Sequence, residues 1–260
     1  MALLAITRGV SPAIAQCELT HRERTPIDLE RARRDHAAYE DALTDLGCEV
    51  HRLPADADAP DCVFIEDVAV VFDELAILTR PGAVSRRRET PPVAAALAKR
   101  RRLITVDAPA TLDGGDVLVA ERRVFVGLTT RTDAAGAAAL ERALAPLGYE
   151  VTTVPVRGAL HLKSVVSHVG PGLLLIDPAG VDPAAFDGFE LLTVAEGESP
   201  AANALRIGDT VLVAAGFDGT RRRLEARGLK IVEVENGELA KAEGGLTCCS
   251  LILEVPESGA

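Results

Sequence analysis

The stretch Arg102-Leu-Ile-Thr-Val-Asp107, continued across a Pro/Ala loop by Thr111-Leu-Asp-Gly-Gly-Asp116-Val-Leu-Val-Ala120, decides how this chain is read. Its first run is apolar and β-branched and predicts a strand. Val117 to Ala120 is a second strand, and a short polar turn leads to a third, Val124 to Leu128. A turn that short joins antiparallel neighbours. Thr132 then caps an alanine-rich helix reaching Leu147, and Gly148-Tyr-Glu-Val-Thr-Thr-Val154 begins the same order again.

The order recurs in both directions along the chain. Towards the N-terminus, Leu29, Ala32, His36, Tyr39, Leu43 and Leu46 keep helical spacing within Asp28–Gly47, and Cys48 to Leu53 is a strand. The runs Cys62 to Phe72 and Leu75 to Thr79 follow as strands around an Asp73-Glu74 turn. Towards the C-terminus, a third loop carries His161 ahead of strands Val165–Val169 and Leu173–Ile176, then a short helix at Pro183 to Phe186 and the strand Phe189–Val194. A fourth carries Asn203 ahead of Ala204–Ile207 and Val211–Ala214, with Thr220 capping a basic helix that ends at Gly228 before the strand Leu229–Val234. A fifth carries Cys248 ahead of Leu251–Val255, where the copy stops short. The N-terminus supplies what is missing, Leu3 to Thr7 as strand and Asp28 to Gly47 as helix. The fold expected is therefore α/β: one domain, residues 1–260, forming a five-bladed α/β propeller of ββαβ-type repeats closed by its N- and C-terminal strands. An open α/β sheet accommodates the hairpins less well.

Composition narrows the function. The chain has 260 residues, is 48% hydrophobic and carries a formal net charge of −11. That balance speaks against nucleic acid and anionic membrane as partners and suits a small cationic molecule. The start Met1-Ala-Leu-Leu-Ala-Ile-Thr-Arg8 lacks a basic n-region before a long apolar run, and no run approaches the ~20 residues of a membrane span. Five cysteines without a framework or a Cys-x-x-Cys pair fit a reducing compartment, expected to be the cytoplasm, and argue against structural zinc or disulfides.

Five-fold pseudo-symmetry would gather the loop-to-strand junctions about one axis. They carry Asp61 with Glu66 and Asp67, Asp113 and Asp116, His161, Asn203, and Cys248. A thiol, an imidazole and an orienting acid are the parts of cysteine-based nucleophilic catalysis. Each has a plainer reading: a packed histidine between leucines, an Asp-Gly-Gly-Asp turn, and two small buried thiols. Strand alternation puts Cys248 and Cys249 on opposite faces without choosing between them. Glu66 and Asp67 are harder to set aside, because adjacent carboxylates in an apolar strand are costly to bury unpaired. They call for a cation, an internal arginine or a ligand, and the ligand reading is favoured.

The chain resembles the dimethylarginine dimethylaminohydrolases of the guanidine-modifying (pentein) superfamily. The resemblance rests on Asp61-Cys-Val-Phe-Ile-Glu-Asp-Val-Ala-Val70, Leu78-Thr-Arg-Pro-Gly82 with Ser85-Arg-Arg87, Thr111-Leu-Asp-Gly-Gly-Asp-Val-Leu118, Gly127-Leu-Thr-Thr-Arg-Thr132, Leu160-His-Leu-Lys-Ser164 and Leu246-Thr-Cys-Cys-Ser250. It implies Cys248 as nucleophile, His161 as acid and base, and Asp113 as the residue orienting the imidazole. It further implies Asp61, Glu66 and Asp67 around the guanidinium, Arg86 and Arg131 on the substrate carboxylate, and Leu19 in a loop over the substrate. Ala242 and Glu243 would meet the α-amino end, where relatives often carry Asp in place of Glu243. The activity implied is hydrolysis of N-omega-methylated L-arginines to L-citrulline through a covalent thiouronium, by a monomer or homodimer with no metal or other cofactor.

Other readings share parts of this pattern. A deiminase of arginine or another guanidine would use the same scaffold, although arginine deiminases usually carry an extra helical domain and agmatine has no carboxylate for Arg86 and Arg131. A non-catalytic guanidine-binding protein would not need Cys248, His161 and Asp113 together. Thiol, imidazole and carboxylate are also zinc-ligand types, so a zinc hydrolase is a further alternative.

Overall fold

The computed structural model describes residues 2–256; Met1 and residues 257–260 of the expected domain lie outside the described residues. Strands β1 (Ala2–Arg8) and β2 (Cys48–Leu53) pair in parallel. The next three strands, β3 (Ala69–Val71), β4 (Leu75–Leu78) and β5 (Arg102–Thr105), form one sheet. Another holds β6 (Val117–Ala120), β7 (Arg123–Leu128) and β8 (Glu150–Pro155). Then come β9 (Val166–Gly170), β10 (Leu173–Ile176) and β11 (Glu190–Thr193), followed by β12 (Leu205–Ile207), β13 (Thr210–Ala214) and β14 (Lys230–Val234). The last strand, β15 (Ser250–Val255), completes the first sheet by pairing antiparallel with β1, from Ala2 opposite Val255 to Thr7 opposite Ser250.

All five sheets share one pattern, an antiparallel pair whose second strand pairs in parallel with a third; the pair is a hairpin in four sheets and joins the two chain ends in the first. The parallel step needs a crossover, and helices supply it. These are α1 (Leu29–Asp45), α2 (Thr90–Leu97), α3 (Ala134–Leu144) and α4 (Asp218–Glu225). The fourth crossover is only the 3₁₀ turn Pro183–Phe186, whose Phe186 ring packs 4.9 Å from that of Phe125. Strands β3, β6, β9, β12 and β15 all line one cavity of about 430 Å³, so the five sheets meet around a common centre. That is the five-bladed α/β propeller expected from the repeat.

Two caps differ from expectation. Asp133, not Thr132, caps α3 by accepting from Gly136 N at 2.7 Å, while the Thr132 hydroxyl accepts from Asp113 N at 3.0 Å. Thr220 lies inside α4, and its hydroxyl accepts from Ala195 N at 2.9 Å. In both places a threonine next to a helix start is drawn into tertiary bonding.

A larger correction concerns the junctions. Cys62 to Phe72 is not one strand, and Cys248-Cys249 does not begin one. A 3₁₀ turn precedes each inner strand: Ile65–Val68, Gly114–Asp116, Leu162–Ser164, Ser199–Ala202 and Thr247–Cys249. Consecutive side chains on such a turn diverge by about 120° instead of alternating between two faces. An apolar run does not distinguish a buried strand from a buried turn.

Candidate active site

The five turns bring the junction residues together. His161, 3% exposed, stands just before its turn in extended backbone, with Nε2 3.0 Å from Asp113 Oδ2 and Nδ1 3.7 Å from Asp67 Oδ1. The fully buried Asp113 is held in turn, because Gly82 N donates to its Oδ1 at 2.9 Å. Asp116, also expected at the centre, accepts from Leu162 N at 2.9 Å and from the Thr129 hydroxyl at 2.7 Å, fixing the backbone beside the imidazole. Glycines at 114 and 115 serve close approach. A Cβ at 114 would lie 2.0 Å from the Glu66 carbonyl oxygen, and one at 115 would lie 2.7 Å from His161 Nδ1.

Cys248 and Cys249 separate as the turn geometry dictates. Cys249 is buried in the core, whereas Cys248 is half-buried and packs at the edge of the same cluster, as Leu19 also does. The Cys248 sulfur accepts from Gly245 N at 3.4 Å. Burial, reinforced by the charges of Glu66 and Asp67, pushes the Cys248 thiol well above its ordinary pKa, so it is protonated at neutral pH. His161 is raised too, for a different reason. Burial favours the neutral ring, but Asp67, Asp116 and Asp113 outweigh it and raise the imidazole to about 9. Asp67 is held ionised despite its burial by His161 and Arg86. Burial lifts Asp116 to about 6.

The expected carboxylate ligands all reach the site, each already held by a partner within the protein. Asp67 pairs with Arg86 Nη1 at 2.5 Å, and Glu66 with Lys163 Nζ at 2.6 Å. Asp61 accepts from Glu18 N at 3.1 and 3.2 Å. Burial raises both Asp61 and Glu66, with Arg86 opposing it at the first and Lys163 at the second. Arg86 is 4% exposed and gives its donors to Asp67, Glu89 and the Phe64 carbonyl, leaving at most one N–H uncommitted. It is a buried counter-ion, contrary to its expected place as an open carboxylate ligand. Arg131 donates from Nη2 to the Thr20 hydroxyl at 3.1 Å.

Ala242 is buried, and Glu243 adopts φ 60°, a left-handed conformation uncommon outside glycine. The Glu243 carboxylate accepts from Thr20 N, His21 N and Arg22 N at 2.9, 2.6 and 2.6 Å. In this arrangement it holds the loop that carries Leu19, and is not open to a substrate ammonium as expected. A cavity of about 770 Å³ opens beside this latch, between His21, Arg22 and Glu243 on one side and Asn203, Gly245 and Leu246 on another.

Lys163, Thr247, Glu18 and Glu89 were missed as site residues. Lys163 and Thr247 flank His161 and Cys248, so adjacency to a candidate was the available signal. Nothing local marked Glu18 or Glu89. Ligand-type atoms of Asp67, Asp113 and His161 lie within 4.8 Å of one another. Both ring nitrogens face carboxylates, so the protonated imidazole is the cation of that cluster, and we read it as a proton-holding group, not a metal centre.

A half-buried thiol, an acid-clamped imidazole and buried carboxylates, gathered at the centre of five α/β blades, define the guanidine-modifying class of α/β-propeller enzymes. The family model for eukaryotic N,N dimethylarginine dimethylhydrolase matches residues 14–184. A dimethylarginine dimethylaminohydrolase of Streptomyces coelicolor is 41% identical over 96% of each chain. The Pseudomonas aeruginosa dimethylarginine dimethylaminohydrolase, solved as a cysteine-to-serine variant complexed with citrulline, superposes with TM-score 0.92 at 29% identity, covering 97% of this chain and all of that one. A histidine-to-glycine dimethylarginine dimethylaminohydrolase in adduct with S-methyl-L-thiocitrulline gives TM-score 0.93 at 30% identity over 97% and 100%. The chain belongs to the dimethylarginine dimethylaminohydrolase family.

Proposed function

We propose that this protein, acting as a single catalytic domain, hydrolyses N-omega-methylated L-arginines, asymmetric dimethylarginine and monomethylarginine, to L-citrulline and dimethylamine or methylamine. The observation that carries the reading is the imidazole clamped between Asp113 and Asp67 in the same ring of turns that presents Cys248. Five unbridged thiols suit work in the cytoplasm, and no described helix is long and apolar enough to cross a membrane.

A guanidinium is planar, delocalised and a poor electrophile. Glu66, Asp67 and Asp61 would keep it cationic and fixed, with Leu19 over it. Burial and the charges of Glu66 and Asp67 keep the Cys248 thiol protonated in the empty enzyme; the bound substrate cation offsets those charges, and the thiol ionises with its proton passing to solvent, so binding itself activates Cys248. The thiolate attacks the guanidinium carbon. His161 Nε2 is engaged by Asp113, and Nδ1, beyond hydrogen-bond reach of Asp67, is the nitrogen left to pass a proton to the departing amine. Breaking that C–N bond leaves the S-linked thiouronium. Neutral His161 then takes a proton from water, the resulting hydroxide adds to the same carbon, and the C–S bond breaks to release citrulline. Arg131 would hold the amino-acid carboxylate, and Glu243 would take the α-ammonium on exchanging it for the loop N–H groups.

The test is citrulline release from asymmetric dimethylarginine, monomethylarginine, arginine and agmatine, with Cys248→Ser as control. Turnover favouring the methylated arginines, lost in the control, is the expected result. Turnover of arginine alone would reassign the protein as a deiminase, and binding without turnover as a guanidine-binding protein.

A further inference from the structure

Asn203, from the fourth blade, lies outside every role given so far. Its side chain is anchored by two backbone groups of opposite sense: Thr247 N donates to Oδ1 at 3.1 Å, and Nδ2 donates to the Lys163 carbonyl at 2.9 Å. A peptide N–H only donates and a carbonyl only accepts, so the amide has one permitted orientation. Nδ2 therefore also donates to Thr247 Oγ1 at 2.9 Å, and the Thr247 hydroxyl must direct its own proton to Glu66 Oε2, 2.9 Å away. The other oxygen of Glu66 takes the Lys163 ammonium. The packing is equally restrictive, since a Cβ on Gly245 would stand 2.4 Å from Asn203 Cγ.

We propose that Asn203 is a positioning residue that acts through Thr247. It fixes the turn bearing Cys248 and aligns the Thr247 hydroxyl so that buried Glu66 stays ionised to receive the substrate guanidinium. The proposal rests on the site reading above, in which Glu66 holds that group. Burial works against the Glu66 charge, and so does neighbouring Asp67; Lys163 and the Thr247 hydroxyl support it. The other titratable groups that feel Glu66 are Tyr39, Cys248 and Cys249, all of which burial keeps neutral at ordinary pH.

The experiment is the pH dependence of kcat/KM for asymmetric dimethylarginine in the parent and in Asn203→Leu, Thr247→Val, Glu66→Gln and Cys248→Ser. Asn203→Leu keeps the shape of the side chain, and Thr247→Val removes the hydroxyl while keeping the backbone N–H. Thr247→Val loses the hydrogen bond to the Glu66 carboxylate outright, and Asn203→Leu frees the Thr247 hydroxyl to turn away from it, so the acid limb should move up by about one pH unit in both. The limb should be absent in Glu66→Gln. A uniform fall at all pH values with the limb unmoved, an unmoved limb in either variant, or persistence of the limb in Glu66→Gln would overturn the proposal. Thr247→Val stands in if Asn203→Leu fails to fold. Full turnover by Cys248→Ser would overturn the site reading itself, which separates that failure from this one.

Discussion

Glu66 and Glu243 are carboxylates at the same centre, yet they are held in opposite ways. Glu66 is 7% exposed and bound by an ammonium and a hydroxyl from two other blades. Glu243 is half-buried and bound by three successive peptide N–H groups of one loop. The first belongs to a buried electrostatic cluster, in which Asp67, Arg86, Glu89, Asp113 and His161 satisfy one another. The second is a latch on a loop whose contacts water can replace. Charges out of water depend on their partners, whereas a loop at the rim opens at small cost. The same site thus combines a rigid floor with a movable cover.

The largest expected effect lies in the floor. Cys248→Ser should lower citrulline formation by at least about 10³-fold, as loss of a nucleophile does, while Cys249→Ser should keep turnover within a few-fold. The reverse pattern would move the nucleophile into the core and end the assignment.

Arg86→Met leaves Asp67 and Glu89 buried without their cation and should destabilise the fold by about 3–5 kcal/mol. Arg227→Met, which removes the exposed partner of Glu190, should cost less than about 1 kcal/mol. Urea denaturation of the two variants makes the comparison. Equal losses would show that the central cluster is no more than a surface pair.

His161 should make the floor sensitive to alkali. Its pKa is about 9 in the fold against a reference of 6.5. The folded state therefore binds the proton more tightly, and the stabilisation is complete below pH 6.5 and lost as pH rises through 9. The change is on the order of 3 kcal/mol. His161→Gln should flatten the decline between those limits in denaturation curves.

The latch should respond least in stability and most in dynamics. Glu243→Gln weakens three hydrogen bonds to a charged acceptor, by about 1–2 kcal/mol in all. Hydrogen exchange at Thr20, His21 and Arg22 should speed up roughly tenfold, with thermal unfolding of the whole chain nearly unchanged. Unaltered exchange at these three amides would show that Glu243 is not what holds the loop.

The repeat was legible because strand and helix differ in period, and because β1 and β15 each lacked a partner until the chain ends were joined. The candidates His161, Asp113 and Cys248 were legible through their common place in that repeat. The turn geometry at Ile65–Val68 and Thr247–Cys249 was not, since an apolar run has the same composition in a strand or a buried turn. Thr132 and Thr220 were misread as caps because a side chain that can cap a helix can equally accept a tertiary hydrogen bond.

By itself, then, the sequence determined the number of blades, the joining of the two ends and which residues stand at the junctions, all consequences of local periodicity. The tertiary structure decided what each charge meets: Arg86 on Asp67 and Glu89, Lys163 on Glu66, and the backbone N–H groups of the loop that carries Leu19 on Glu243. Lys163 and Glu66 come from different blades, Glu243 reaches a loop, and Asp67 meets the Arg86–Glu89 pair only when the turns of one blade fold against each other. Coulomb and hydrogen-bond energies depend on separations of a few ångströms, which no order of residues along the chain prescribes.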